Sequence, residues 1–148
     1  MELNEKVRVL QTIYAGALAD HVYRLGQEGV LEKVTDMKRH EQLAGGKIRA
    51  GQMGITRPDA VFTTLSDIMG CANWEVTPHE NGDGFTATAS RCMLCAFAKR
   101  MGSQSPCRLG CLDPMEGMIK GLDEKASFTV ESTLFAGSDC RVVVTVND

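Results

Sequence analysis

The sequence lacks an excess of charge of either sign. Its 16 Lys and Arg residues face 19 Asp and Glu, a net charge of −3. A general nucleic-acid binder needs a basic surface to neutralise phosphates, so this balance argues against that class. No stretch approaches the ~18 consecutive apolar residues of a membrane span. The opening residues, MELNEKVRVLQ, place charge where a signal peptide would carry its apolar run. There is no P-loop, no nucleophile-elbow serine, no dinucleotide fingerprint, no internal repeat and no low-complexity segment. Histidine is scarce. His21 and His40 fall on helical stretches without ligand spacing and His79 near a turn, so each reads as an ordinary surface or satisfied histidine. The expectation is a cytoplasmic chain that meets no nucleic acid and no membrane.

Cysteine, in contrast, is plentiful. Four of the six lie within twenty residues: Cys92-x-x-Cys95, then Cys107-x-x-x-Cys111, with Asp113 close behind. In a reducing compartment such residues are metal ligands, reactive thiols or small core residues rather than disulfides.

At 148 residues and 43% hydrophobic, the chain suits a single domain with a real core. Residues 4 to 25 read as an amphipathic helix with Val7, Leu10, Ile13, Tyr14, Leu18 and Val22 at helical spacing. Its apolar face is wide enough to predict a homodimer or larger assembly. A second helix is expected over 30 to 44. The next segment, AGGKIRAGQMGITRPD, carries four glycines and reads as a loop or fraying helix end; its Lys47, Arg49 and Arg57 suit either a solvated connection or a basic loop that holds a carboxylate. Pro58 opens a short helix that Gly70 stops.

The period then changes to two. NWEVTPHENGDGFTATAS predicts a hairpin around Asn81-Gly82-Asp83-Gly84, and SFTVESTLF with CRVVVTV predicts another around Gly137-Ser138-Asp139. Helical pieces over 91–101 and 107–122 lie between. The predicted fold is α+β: an antiparallel sheet built from two hairpins, helices on one face, and an N-terminal helical segment over 1–55 preceding a core over 56–148.

Cys92 and Cys95 share one helical face, Cys107 and Cys111 another, and the short GSQSP turn between them lets the pairs meet. Four thiolates at Cys92, Cys95, Cys107 and Cys111 suit tetrahedral zinc, with an iron–sulfur cluster as the alternative. CMLCAFA equally reads as an apolar helix whose cysteines are core. A third reading is chemical: Cys92 and Cys107 stand at helix N-termini beside Arg91 and Arg108, where a thiolate is favoured. Cys140 faces inward on the last strand, and Cys71 has no partner in sequence. Asp113 with Pro114 reads as an N-cap followed by the first helical position, and Glu116 lies one turn on.

SRCMLCAFAKRMG, PCRLGCLDPMEGMIKGL and FTVESTLFAGSDCRVVV together resemble the L-2-amino-thiazoline-4-carboxylic acid hydrolase family, itself similar to vinyl-reductase-type small-molecule-binding domains. The matching positions are Cys92 or Cys95, Cys111 with Asp113, and Gly137 with Cys140. The resemblance implies hydrolysis of an amidine-like C–N bond in a small ring, with Cys111, Asp113 and Cys92 as catalytic residues. The competing class is a sensor or binding module with a structural cysteine–metal site.

Overall fold

The computed structural model describes residues 1–146; Asn147 and Asp148, the end of the predicted domain, lie outside the described residues. In chain order these form α1 (Leu3–Gln27), α2 (Leu31–Gln52), α3 (Pro58–Met69), β1 (Glu75–Pro78), β2 (Gly84–Ala89), α4 (Met93–Met101), α5 (Asp113–Leu122), β3 (Ser127–Ser132) and β4 (Cys140–Thr145). The strands make one antiparallel sheet in the order β1-β2-β4-β3. The α+β architecture, two hairpins with an N-terminal helical segment, is therefore that of the protein.

The sheet is one-sided. Phe85, Ala87 and Ala89 on β2 and Cys140, Val142 and Val144 on β4 point inward at a period of two and are buried. Phe62 on α3 meets Trp74 and Phe85 edge to face at 5.0 and 5.9 Å, tying helix to sheet. In the first hairpin turn, His79 bonds Asp83 (2.7 Å) and Thr86 (2.8 Å), so this histidine is satisfied by its own hairpin.

The glycine-rich segment is not a loop. α2 runs through Gly45, Gly46 and Gly51 to Gln52, well past the expected end at residue 44. Two of α5's glycines explain it. A Cβ on Gly46 would fall on the Gly117 carbonyl, one on Gly117 on the Gln42 carbonyl, and one on Gly121 on the Lys47 amide nitrogen. The two helices cross backbone to backbone, and only glycine leaves room. Locally unfavourable residues are retained because the packing requires them.

The crossing is clamped by charge. Arg39 on α2 forks onto Glu116 of α5 (Nη1–Oε1 2.8 Å, Nη2–Oε2 3.0 Å) and reaches Asp113 (3.0 Å), while Lys120 holds Glu116 from behind at 2.6 Å. Burial pushes the Glu116 carboxyl up, but Arg39 and Lys120 outweigh it and hold it below its ordinary value. Asp113 is not an N-cap as expected. A wide π-type turn over Arg108–Leu112 runs straight into α5, so Asp113 already has helical backbone angles and its N–H donates to the Arg108 carbonyl. Pro114 has no N–H to continue the normal ladder, and the wide turn absorbs that loss.

α1 differs from expectation in its buried face. Its inward stripe is Ala15, Ala19 and Val22, whereas Leu3, Val7, Leu10, Ile13 and Tyr14 remain exposed. Small residues let α1 approach α4, where Gly16 packs on the Phe97 ring.

Two glycine substitutions in neighbouring helices should have opposite signs. Gly117→Ala forces backbone against backbone and should lower unfolding free energy by roughly 3 kcal/mol. Gly51→Ala meets open space and should raise it by about 0.5–1 kcal/mol. Urea denaturation of both variants checks the pair; a Gly117→Ala protein as stable as wild type would contradict the close crossing.

Candidate functional site

The cysteines are brought together by local features that each have a cause. Gly70 ends α3 in the left-handed region (φ 65°) and turns the chain toward Cys92. Ala72 then bridges Cys92, and the Met93 N–H donates to the Cys71 carbonyl at 2.6 Å. Asn73 locks the same corner, accepting from the Ser90 and Arg91 N–H groups (both 2.9 Å) and donating to Ser90 Oγ (2.8 Å). Residues 71–73 are thus strapped to residues 90–93.

Cys92 caps α4: its sulfur accepts the Cys95 N–H at 3.4 Å. Cys95 lies on the buried face of α4, Cys107 precedes the wide turn before α5 and Cys111 lies within it, and Cys140 opens β4. The Cys140 sulfur accepts the Leu134 N–H at 3.2 Å. Cys92, Cys95, Cys107, Cys111 and Cys140 line one apolar cavity of about 10 Å³, room for a single water-sized particle. All six cysteines are free.

Cys95 sits at the electrostatic centre. Its sulfur is 3.6 Å from that of Cys107. Hydrogen bonds to Cys107 and Cys92, with burial added, push its own thiol far up and keep it protonated. The same S–H draws its neighbours down. Cys92 is lowered to about 7 by the Cys95 hydrogen bond, against burial, with help from the Cys95 and Leu94 N–H groups at the start of α4. Cys107 is lowered by Cys95 against burial, assisted by Ser105 and Thr133. One S–H serves one acceptor at a time, so the trio carries a single thiolate.

The other thiols stay neutral. Burial, with the charge of the neighbouring thiol cluster added, pushes Cys111 well up, and its sulfur rests 4.0 Å from that of Met115. Burial raises Cys140 to about 11 and raises Cys71 as well.

Asp113 is not brought to this cluster. Two residues after Cys111 in sequence, its carboxylate turns instead to Arg39 (3.0 Å) and Arg108 (3.6 Å), and Glu116 turns the same way. Burial raises Asp113 despite these cations. Among the described residues, no three His, Cys, Asp or Glu side chains form a group able to hold a metal ion. The Cys95–Cys107 pair does approach the sulfur–sulfur separation of about 3.8 Å that follows from tetrahedral Zn–S bonds near 2.3 Å.

Two larger spaces meet at the cluster. An open cleft of about 670 Å³ exposes Cys71 and Cys92 beside Asn73, Arg91 and Lys99. A narrower cavity of about 200 Å³ lies among the helices, lined by Tyr14, Gln42, Arg49, Cys71 and Cys111 among others. Cys71, which has no partner in sequence, belongs to the wall common to both. Sequence reasoning missed it because the bridge to Cys92 spans twenty residues; Gly70 was the one available signal. No protein-family model, curated protein or solved structure matches the chain. No helix among the described residues is long and apolar enough to cross a membrane.

Cys92 should therefore alkylate as an activated thiol. Its carbamidomethylation rate with iodoacetamide, followed by peptide mass spectrometry, should rise through a midpoint near pH 7, as the depressed value requires, rather than near the ~8.5 of an ordinary thiol. In Cys95→Ala the donor is lost and the midpoint should move upward. A Cys92 midpoint unchanged by Cys95→Ala would contradict the shared proton.

Proposed function

We propose that this chain is a hydrolase-like protein that opens a small cyclic amidine or thiazoline-type C–N bond, with Cys92 as the nucleophile. The observation that carries the reading is the position of Cys92 at the start of α4, lining the open cleft beside Arg91, with its thiol lowered to about 7 by the Cys95 hydrogen bond. Its sulfur would attack the ring carbon between the heteroatoms, and a water in the open cleft would protonate the ring nitrogen as the C–N bond breaks. Water then hydrolyses the covalent adduct and releases the thiolate. Arg91, which has no carboxylate partner among the described residues, lies in the same cleft and supplies positive charge for an anionic substrate. Asp113 and Glu116 act in this reading as packing charges that hold α5 to α2. The half-buried Cys111, its thiol raised, supports the site rather than attacking.

A second reading is favoured by five cysteines on one cavity: a non-catalytic small-molecule or metal-binding module, with zinc or an iron–sulfur cluster held by Cys92, Cys95, Cys107 and Cys111.

One set of proteins separates the readings. Wild type, Cys92→Ser and Cys111→Ser are purified without oxygen, analysed for zinc and iron, and incubated with 2-amino-thiazoline-4-carboxylate. The thiol reading expects ring opening by wild type, a loss of about a hundredfold or more in Cys92→Ser, and no stoichiometric metal. Stoichiometric metal that Cys111→Ser removes, with no ring opening, establishes the binding module instead.

A further inference from the structure

We propose that the cavity enclosed by α1, α2, α3 and α5 is a binding site for a small, apolar-bodied carboxylic acid whose carboxylate is held by Arg49 and Gln42. Its walls include Leu18, Leu65, Met69, Trp74, Met115 and Met118, and its volume of about 200 Å³ suits a single ring or a short branched chain.

Among the polar side chains in this mostly apolar lining, Arg49 and Gln42 each carry a buried polar atom without a partner. Arg49 gives one Nη2–H to the Gln42 backbone carbonyl at 2.5 Å. Its Nε–H is buried with no partner, and so is Gln42 Oε1. No carboxylate among the described residues stands within ion-pair distance of Arg49. A buried cationic donor left unpaired is costly, and a bound anion supplies the missing acceptor. The Nε–H and the remaining Nη2–H form the side-on fork that a carboxylate accepts with both oxygens. Gln42 adds one further hydrogen bond whichever way its amide is turned.

Gly45 makes room for this arrangement. A Cβ there would stand 2.6 Å from Arg49 Nη1, so the missing side chain gives the guanidinium its place beside α2. The site is distinct from the open cleft, although the two share Ser66, Cys71 and Ala72. An occupant therefore touches the wall shared with the cleft at Ser66, Cys71 and Ala72, and its binding requires no turnover.

The probes are phenylacetate and its neutral counterpart phenylacetamide. The readout is the fluorescence of Trp74, the chain's one tryptophan, which lines the cavity. Wild type should bind phenylacetate saturably and about tenfold or more tighter than the amide. Arg49→Met should bring the acid down to the affinity of the amide and leave the amide unchanged. Arg49→Lys, which keeps the charge and loses the fork, should fall between. Equal affinity for acid and amide, absence of saturation with either, or an acid affinity unchanged in Arg49→Met would overturn the proposal. Should Arg49→Met lose its native circular dichroism, the wild-type ratio of acid to amide and its reduction in Gln42→Leu decide the question.

Discussion

The molecule depends on the backbone-to-backbone crossing of α2 and α5. Gly46, Gly117 and Gly121 allow it, and the Arg39 fork on Glu116 fixes its register. That crossing orients the N-terminal end of α5, hence the wide turn carrying Cys111 and the Cys107 that precedes it. It also sets Gln42 and Arg49 across a narrow space from Met115 and Met118. Glycine contacts of this kind contribute no side-chain burial themselves, but they bring the flanking side chains within packing distance.

The thiol cluster shows what such packing does to chemistry. Six cysteines close together cannot all ionise, because each new thiolate repels the next and burial opposes them all. Cys95 resolves this by remaining protonated and donating to its neighbours, so that Cys92 and Cys107 share one negative charge. Of the two, Cys92 faces the open cleft, whereas Cys107 is buried. Position in the fold, more than intrinsic acidity, selects the reactive sulfur.

Much of this was legible in the sequence, for physical reasons. Period-two alternation around Asn81-Gly82-Asp83-Gly84 marks a hairpin because turn chemistry and strand pattern are both local. Paired cysteines at i, i+3 and i, i+4 across a short turn likewise announce that they meet. What was not legible is tertiary in origin. Glycines of α2 look like breakers until the opposing glycines of α5 are known. Asp113 looks like a cap or a base until Arg39, seventy-four residues earlier, claims it. Leu10 and Ile13 look like core, yet small residues are what the α1–α4 contact selects. Arg49 reads as one charge in a basic segment, and only its buried, unpaired Nε–H distinguishes it.

The chain folds so as to bring Cys95 and Cys107 into contact at the heart of the thiol cluster. Mild oxidation of the native protein with diamide, followed by disulfide mapping, tests it most directly. The 3.6 Å separation predicts a Cys95–Cys107 cross-link as the first product, formed within one chain and lost when oxidation is carried out in urea. Cross-links distributed at random among the six cysteines, or a Cys95 that stays free while others pair, would contradict the account.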